Sequence, residues 1–538
     1  MDECYDIAIV GSGISCAYTL THYIALLEQQ PHGKPLKAIV FERSGEFWNG
    51  IPYGSRSGHQ ALLISSLKEF LPQETERRAF AAWLGKNRDW VFDRFEQGDG
   101  ELAAKWLRTN EQAMSAGLWD DLFVPRYTFG LYLQQRLADI LRRAAAGGIL
   151  ECSLMAAEVV DIQRLKDVHK IDFVIASGGG GAVLAKKVIL GIGSPPNAVV
   201  EQPKANGAGG SGCFVGDMYE PSLELNIRRI GESLRQAHGQ RPQVLIVGSN
   251  AGALDALFCL NNSRELSGLI SRFVILSSNA EFPHRISRKV YLTNYSPRHL
   301  HDLVKARALT ARQILEAVRM DVACAKAQNI NITDLYADIS TAMIAALNQL
   351  SVVEQKKFVA KYGVEIGKLQ RRAGAEYLDV VDALVAQGRI ELLKGRCVRC
   401  ISLGDGDLGC EYATGWGRTK KVHAGPFGVV INCAGFQDVT RSSSTLIRNL
   451  IRRKICVPNA SKRGFLITEN FEASKNCYLM GPLVAGNLAG KIRVWHAESC
   501  TRIIGMSRQL AEVLLQDEGG LSKPSSAGVS GSAERICA

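Results

Sequence analysis

The sequence predicts an α/β protein with two Rossmann-like dinucleotide-binding domains and a helical insertion, and three observations lead there. Residues 7–16, IAIVGSGISC, carry an apolar strand into a glycine turn. The same order of strand, small-residue turn, helix and strand returns from residue 242, in PQVLIVGSNAGALDALFCL and RFVILSSN. Each half then closes on a similar apolar strand, KKVILGIGSPP at 186–196 and FGVVINCAGF at 427–436. A lone glycine motif is weak evidence, but its recurrence in the same context argues for two nucleotide sites.

Composition supports large buried cores. With 538 residues, 46% hydrophobic and 22% charged, the chain fits two or three globular domains. The net charge of +11 favours anionic ligands, yet Lys and Arg are spread along the chain with no dense basic tract, so no nucleic-acid partner is expected. Asp2 and Glu3 precede a short apolar strand, and no apolar run approaches the ~18 residues of a membrane span. These features predict a cytoplasmic protein without a membrane partner. Fourteen cysteines scattered among apolar strands, such as Cys16, Cys259 and Cys433, read as buried reduced thiols rather than a disulfide framework.

In the first unit, Ala17, Leu20, Ile24 and Leu27 follow the turn at helical spacing, and KAIVFERSG supplies a second strand ending in Glu42. Gly11 and Gly13 let the backbone approach a pyrophosphate, the helix N-terminus offers N–H donors, and Glu42 suits ribose hydroxyls. The polar stretch LLEQQPHGKPLK explains why Glu42 lies beyond the usual ~20 residues. Cys16 reads as a small packing residue, the alternative being a reactive thiol at a helix N-terminus. Short strands broken by SGGGG follow at 149–196 and end in a tight turn at Gly191 and Gly193.

The second turn has Gly248 and Gly252, with Asn250 in place of the central glycine because asparagine tolerates positive φ. Its second strand ends in Ser277-Ser278-Asn279, with no arginine where a 2′-phosphate would need one, and Arg285 or Arg288 is expected to reach back. Amphipathic segments over 297–386 interrupt this unit and suit a lid, a substrate cap or a homo-oligomer surface. Residues 516–538, rich in Gly and Ser, are expected to be disordered. Cys397 and Cys400 form a C-x-x-C in a predicted strand, whose alternation would put them on opposite faces. His299 and His301, two apart, also suit a strand, and no metal site is expected.

These residues resemble the two-dinucleotide-domain flavoproteins, and within them a bacterial FAD/NAD(P)-binding family with N-hydroxylase-like members. The resemblance covers roughly residues 5–515. It rests on GSGISC with Glu42, GIPYG at 50–54, FVPRYTFGLYLQQRL at 123–137 and VILGIGSPP at 188–196. LIVGSNAGALD, VVINCAGF and YLMGPLVAGN at 478–487, followed by ESCTRI, extend it. It implies an FAD-binding domain over 1–215 with 425–515 and an NAD(P)H-binding domain over 216–296 with 387–424.

By the same resemblance, FAD would contact Gly11, Ser12, Gly13, Ile14, Ser15, Glu42, Arg43, Tyr53 and Gly193, with Gly481 and Pro482 closing over its ring. NADPH, or else NADH, would lie at Gly248, Asn250, Gly252 and Ser277. The implied activity is an FAD-dependent NAD(P)H oxidoreductase. A monooxygenase that uses molecular oxygen to N-hydroxylate a small amine or amino acid is the leading reading. A dehydrogenase or reductase of an organic acceptor, and a non-catalytic dinucleotide sensor, are the alternatives. Disulfide reduction is disfavoured because no C-x4-C follows the first turn. Ketone oxygenation is disfavoured because CFVGDMYEPS has Phe214 and Gly216 without the later His and Trp of that signature. Arg126 and Arg371 are the candidates for gripping a substrate carboxylate, since a guanidinium binds it in two places. Arg371 with Arg372 also reads as a surface ion pair, and no catalytic base is identified.

Overall fold

In a computed structural model the repeat is literal: two sheets share one strand plan. The structure describes residues 4–30, 34–96, 100–202, 212–236, 242–287, 295–306, 308–403, 407–415, 417, 419–496 and 499–516. The first unit runs β1 (Cys4–Val10), α1 (Ile14–Leu27), β2 (Leu36–Phe41), α2 (Tyr127–Ala146), β3 (Leu150–Met155), β4 (Glu158–Arg164), β5 (His169–Val174) and β6 (Gly180–Leu190). β1 lies between β2 and β6, parallel to both, with Ile9 opposite Val40 and Ile189. β3 adds a parallel strand beyond β2, and β4 and β5 form a hairpin back onto the first half of β6. Helices cover such a sheet on both faces, so its central strand reads as a continuous apolar run rather than an alternation. α1 buries Ala17, Leu20, Ile24 and Leu27 together with Tyr18 and Tyr23, and so is enclosed nearly all round.

The second unit repeats this order with β7 (Cys213–Val215), β8 (Gln243–Val247), α3 (Ala251–Asn262) and β9 (Arg272–Ser277). A two-residue parallel bridge of β10 (His284–Arg285) and β11 (Arg372–Ala373) closes the neck of the insertion. Within it lie α4 (Arg298–Val304), α5 (Ala311–Ala327), α6 (Tyr336–Leu347) and α7 (Gly363–Leu369). Ile314, Val318, Ile339, Met343, Phe358 and Ile366 give them a core of their own, into which Trp495 also packs. Thr310 and Gln313 form a reciprocal capping box that starts α5. A π-helical turn over Phe358–Tyr362 leads into α7. The two histidines expected on a strand lie on α4 instead: His299 Nδ1 is 2.8 Å from Asp321 Oδ1, and His301 Nδ1 is 3.0 Å from Ser296 Oγ.

α8 (Ala375–Ala386) corrects the expected end of the insertion. Its Tyr377 ring packs 5.2 Å from that of Phe258 on α3, and it leads into β12 (Ile390–Lys394), parallel to β9. It is the crossover helix of the second sheet, which a helical pattern cannot distinguish from an inserted helix. β13 (Arg396–Ser402), β14 (Leu408–Thr414) and β15 (Thr419–Asn432) complete that sheet as an antiparallel meander, with β15 also parallel to β8 and β7. Residues 213–215 and the strand end over 427–432 therefore pair in the second sheet, not the first, across the limits expected at 215 and 425.

The alternation expected for Cys397 and Cys400 also fails. A bulge shifts the register between Cys397 and Arg399, so an extra residue returns Cys400 to the side of Cys397. Cys400 pairs directly opposite Cys410, and Cys397 Sγ lies 3.4 Å from Cys410 Sγ.

The chain finally returns to the first sheet through β16 (Glu472–Ser474) and β17 (Cys477–Leu479), the latter parallel to β6. α9 (Cys500–Gln516) packs on α1, and Ser507 Oγ reaches the Ser15 carbonyl at 3.5 Å. The expected disordered tail falls, beyond Gln516, outside the described residues. Among the described residues, no helix is long and apolar enough to cross a membrane. Among them also, no group of three His, Cys, Asp or Glu side chains is placed to hold a metal ion.

Candidate dinucleotide and substrate sites

The first turn is built by backbone contact. Gly11 has φ +92°, and a Cβ there would meet the Gly191 carbonyl oxygen at 2.5 Å, so only glycine lets β1 and the turn after β6 approach this closely. Gly13 starts α1 without a side-chain cap, leaving first-turn N–H groups for an anion. Ile14 and Ser15 open that helix, and both are buried. Glu42 Oε2 accepts hydrogen bonds from Ser12 N at 3.1 Å and Ser12 Oγ at 2.9 Å, while its Oε1 accepts from Ser44 N and Oγ. The carboxylate thus sits beside the turn. Next to it a cavity of about 760 Å³ is lined by Arg43, Ser44, Phe47, Arg56 and Glu220. A glycine turn, an uncapped helix and a carboxylate at the strand end fit the pyrophosphate and ribose of FAD.

The motif at 123–137 earns its glycine here. A Cβ on Gly130 would lie 2.0 Å from the Tyr53 carbonyl oxygen, so α2 seats directly on GIPYG. The Tyr53 ring meets Phe129 edge-on at 5.4 Å, and burial pushes its hydroxyl well above the usual range. Gly481, at φ +78°, would place a Cβ 2.8 Å from Ser15 Oγ, so the Gly481-Pro482 turn closes onto the start of α1. Gly193 has φ +77° on the turn after β6. Cys16 is 1% exposed, and burial raises its thiol well above the ordinary range, which suits packing and not nucleophilic attack.

The second turn has the same construction. A Cβ on Gly248 (φ +120°) would meet the Cys433 carbonyl oxygen at 2.1 Å, and Gly252 faces Cys433 Sγ. Asn250 starts α3 with no side-chain cap. Its φ is −104°, so the positive-φ explanation for asparagine is wrong: the backbone there accepts any residue. Ser249 Oγ, in this turn, is buried without a hydrogen-bond partner, an orphaned polar atom that a bound dinucleotide would satisfy. Ser277 closes its own strand end, accepting from Ala280 N at 3.0 Å. Arg285 does not reach back: it bonds Asp379 and Asp382 on α8, each at 2.5 Å. Arg288 lies outside the described residues.

The two arginines proposed as substrate grips part company. Arg126 lies in a buried interdomain ion pair, its Nη1 2.9 Å from Asp255 Oδ2 on α3. Tyr219 donates its hydroxyl to the same carboxylate, and the guanidinium stands 5.5 Å over the Tyr219 ring. It joins the two dinucleotide units and is not open to a substrate. Arg371 instead lines a recess of about 240 Å³ shared by all three parts of the chain: Asn250 and Ala251 at the start of α3, Gly367 and Gln370 in the insertion, and Trp495, His496 and Arg502 near α9. Its neighbour Arg372 is the expected ion pair, bonded to Glu69 at 2.8 Å and stacked over Tyr336.

Among the described residues, the ionisable side chains that line this recess, Tyr336 aside, are basic. Burial, then Arg463, lowers the Arg371 pKa against the opposing pull of Glu365. Burial, then Arg463, Arg371 and Arg502, brings His496 down to about 3, so its imidazole is neutral. His496 also fits into the insertion: a Cβ on Gly367 would lie 2.1 Å from its Nε2. Gln370, Arg463, Trp495 and His496 escaped sequence reasoning because they come from turns with no periodicity. The QRR run at 370–372 was the one available signal.

A family model described as FAD-NAD(P)-binding matches residues 8–195. An uncharacterized protein of Mycobacterium tuberculosis is 31% identical over 513 residues, 95% of both chains, and one from Mycobacterium bovis matches equally. The chain belongs to this FAD-NAD(P)-binding family. Among solved structures, ornithine hydroxylase of Pseudomonas aeruginosa superposes with a TM-score of 0.52 at 12% identity, over 96% of this chain and 99% of that one. The ornithine N-hydroxylase of Kutzneria sp. 744 gives 0.51 at 12% identity, over 96% and 100%. The cadaverine monooxygenase of Erwinia amylovora gives 0.52 at 11% identity, over 99% and 100%. At these identities the likeness is one of fold, and the family model covers the first of the two units.

Proposed function

We propose that the protein is an FAD-dependent, NAD(P)H-using monooxygenase that N-hydroxylates a small amine or amino acid, with molecular oxygen as co-substrate. The observation that carries this is the shared recess, where the start of α3 in the second dinucleotide unit meets Trp495 and His496, which precede the helix packed on α1. Two dinucleotides bound at turns built this way would meet where a third reactant has room. The similar folds of ornithine and cadaverine hydroxylases favour oxygen and an amine as the remaining reactants.

Bound FAD would supply the redox chemistry, taking a hydride from the nicotinamide and passing electrons to oxygen. The chain's own part is positioning and charge. Gly11, Gly13 and the start of α1 would hold the FAD pyrophosphate, with Glu42 on the ribose. Gly248, Ser249 and the start of α3 would hold the nicotinamide dinucleotide, NADPH before NADH. An amine attacks oxygen only as the neutral base, and the positive recess disfavours its ammonium form by like-charge repulsion. Arg371 and Arg463 would thus lower the pKa of an amine placed near them.

The test is spectroscopic. The purified protein is mixed anaerobically with NADPH while flavin absorbance is followed, then oxygen and candidate amines are admitted. Bleaching, followed by amine-dependent oxygen uptake and hydroxylamine formation, is expected. A flavin that stays oxidised with both NADPH and NADH would overturn the reading. Bleaching without amine-dependent oxygen uptake would favour a dehydrogenase or reductase.

A further inference from the structure

Among the described residues, the lining of the recess includes arginines and no carboxylate. The guanidinia of Arg371, half-buried in the lining, and of Arg463, exposed outside the lining, form no ion pair and donate no hydrogen bond among the described residues. A guanidinium withdrawn from water without a counter-charge is costly, so such a group marks a place where an anion completes the structure. Of the nearby acids, Glu69 accepts from Arg372 with Oε1 at 2.8 Å while its Oε2 is buried without a partner, and Glu365 accepts from Lys368 with Oε1 at 2.8 Å.

A second observation points the same way. Gln370 lines the recess, is only 9% exposed, and its Nε2 is buried without a partner. An amide donor beside a guanidinium, with a neutral imidazole facing them, forms a set suited to an oxyanion and hostile to a cation.

We propose that this recess is an oxyanion-binding subsite, with Arg371 and Gln370 as its principal donors and Arg463 as supporting charge. Its ligand is a carboxylate or a single phosphoryl group. A carboxylate would belong to the second reactant, making the substrate an amino acid or other acid-bearing amine and not a simple diamine. A phosphoryl group would belong to the nicotinamide dinucleotide, whose turn opens onto the same recess. Assigning either source rests on the monooxygenase reading above, whereas the subsite itself does not.

The experiment uses the FAD-loaded full chain and its Arg371→Gln and Arg371→Lys variants, with flavin content and melting temperature as folding controls. Inorganic phosphate is titrated by calorimetry at constant ionic strength. Arg371→Gln should weaken phosphate at least tenfold, and Arg371→Lys should restore part of the loss. Equal affinity in wild type and Arg371→Gln overturns the proposal.

NADP+, L-lysine and cadaverine are then titrated in turn. Selective loss of L-lysine binding in Arg371→Gln, with cadaverine and NADP+ unchanged, assigns the subsite to a substrate carboxylate. Selective loss of NADP+ binding assigns it to the dinucleotide phosphate. The phosphate titration needs no turnover. If phosphate binding depends on Arg371 while neither NADPH nor NADH bleaches the flavin, the subsite stands and the monooxygenase reading fails.

Discussion

The His496 imidazole fills the space that a side chain at residue 367 would need: a Cβ on Gly367 would lie 2.1 Å from Nε2 and 2.3 Å from Cδ2. One turn earlier on α7, Gly363 faces Trp495, a Cβ there meeting the Trp495 carbonyl oxygen at 3.3 Å. Two glycines four residues apart thus make a notch in the insertion, and residues 495–496 lock into it.

Gly367→Ala should therefore force His496 out of its notch. Overpacking of this kind costs about 1–3 kcal/mol, measurable as a lower urea midpoint. Because the recess shares these walls, NADPH-dependent flavin reduction should slow in the same variant.

The Arg126–Asp255 pair should be strongly coupled. Removing one partner of a buried pair leaves an uncompensated charge and costs about 3–5 kcal/mol. Asp255→Asn and Arg126→Met should each destabilise the protein, and the double variant should lose much less than their sum in a double-mutant cycle.

Acid should weaken the protein through His496. Its folded pKa, about 3, lies below the unfolded value of 6.5, so the unfolded chain gains a proton first as pH falls. The stability this group contributes is complete above pH 6.5 and declines between there and pH 3. From pH 7 to 5 the loss is about 1–2 kcal/mol. His496→Asn should remove that share, read from urea midpoints at the two pH values.

Glu42→Gln should loosen FAD. A charged hydrogen bond to a ribose hydroxyl contributes about 1.5–3 kcal/mol, so the variant should bind FAD roughly 10- to 100-fold more weakly. Flavin fluorescence released on gel filtration measures it.

Thiol labelling should be ordered. Cys397 is half-buried and accepts hydrogen bonds from the Cys400 and Cys410 thiols, which hold its pKa down to about 4. Cys400 and Cys410 are buried, and their thiols are raised. Iodoacetamide at pH 6 should modify Cys397 before Cys400 or Cys410, as read by peptide mass spectrometry.

The double strand-turn-helix plan was legible in the sequence because buried parallel strands are apolar throughout and a dinucleotide turn needs glycine at fixed positions. Gly11 and Gly248 declare themselves because no other residue fits against Gly191 and Cys433. The roles of Arg126 and Arg371 were not legible. Both read as grips for a carboxylate or as surface ion pairs, and only the approach of Arg126, just before α2, to Asp255 on α3 gives it a buried carboxylate.

The sequence by itself determined the elements, their order and the two turns, since periodicity and glycine placement are local properties of the chain. Tertiary structure alone decided which charges are balanced. Asp255 lies 129 residues from Arg126 and cancels its charge, while Arg371 faces an amide, an imidazole and other cations. Charge balance depends on distance in space, which sequence separation does not report. One arginine therefore joins the two dinucleotide units, while the other has no carboxylate partner among the described residues.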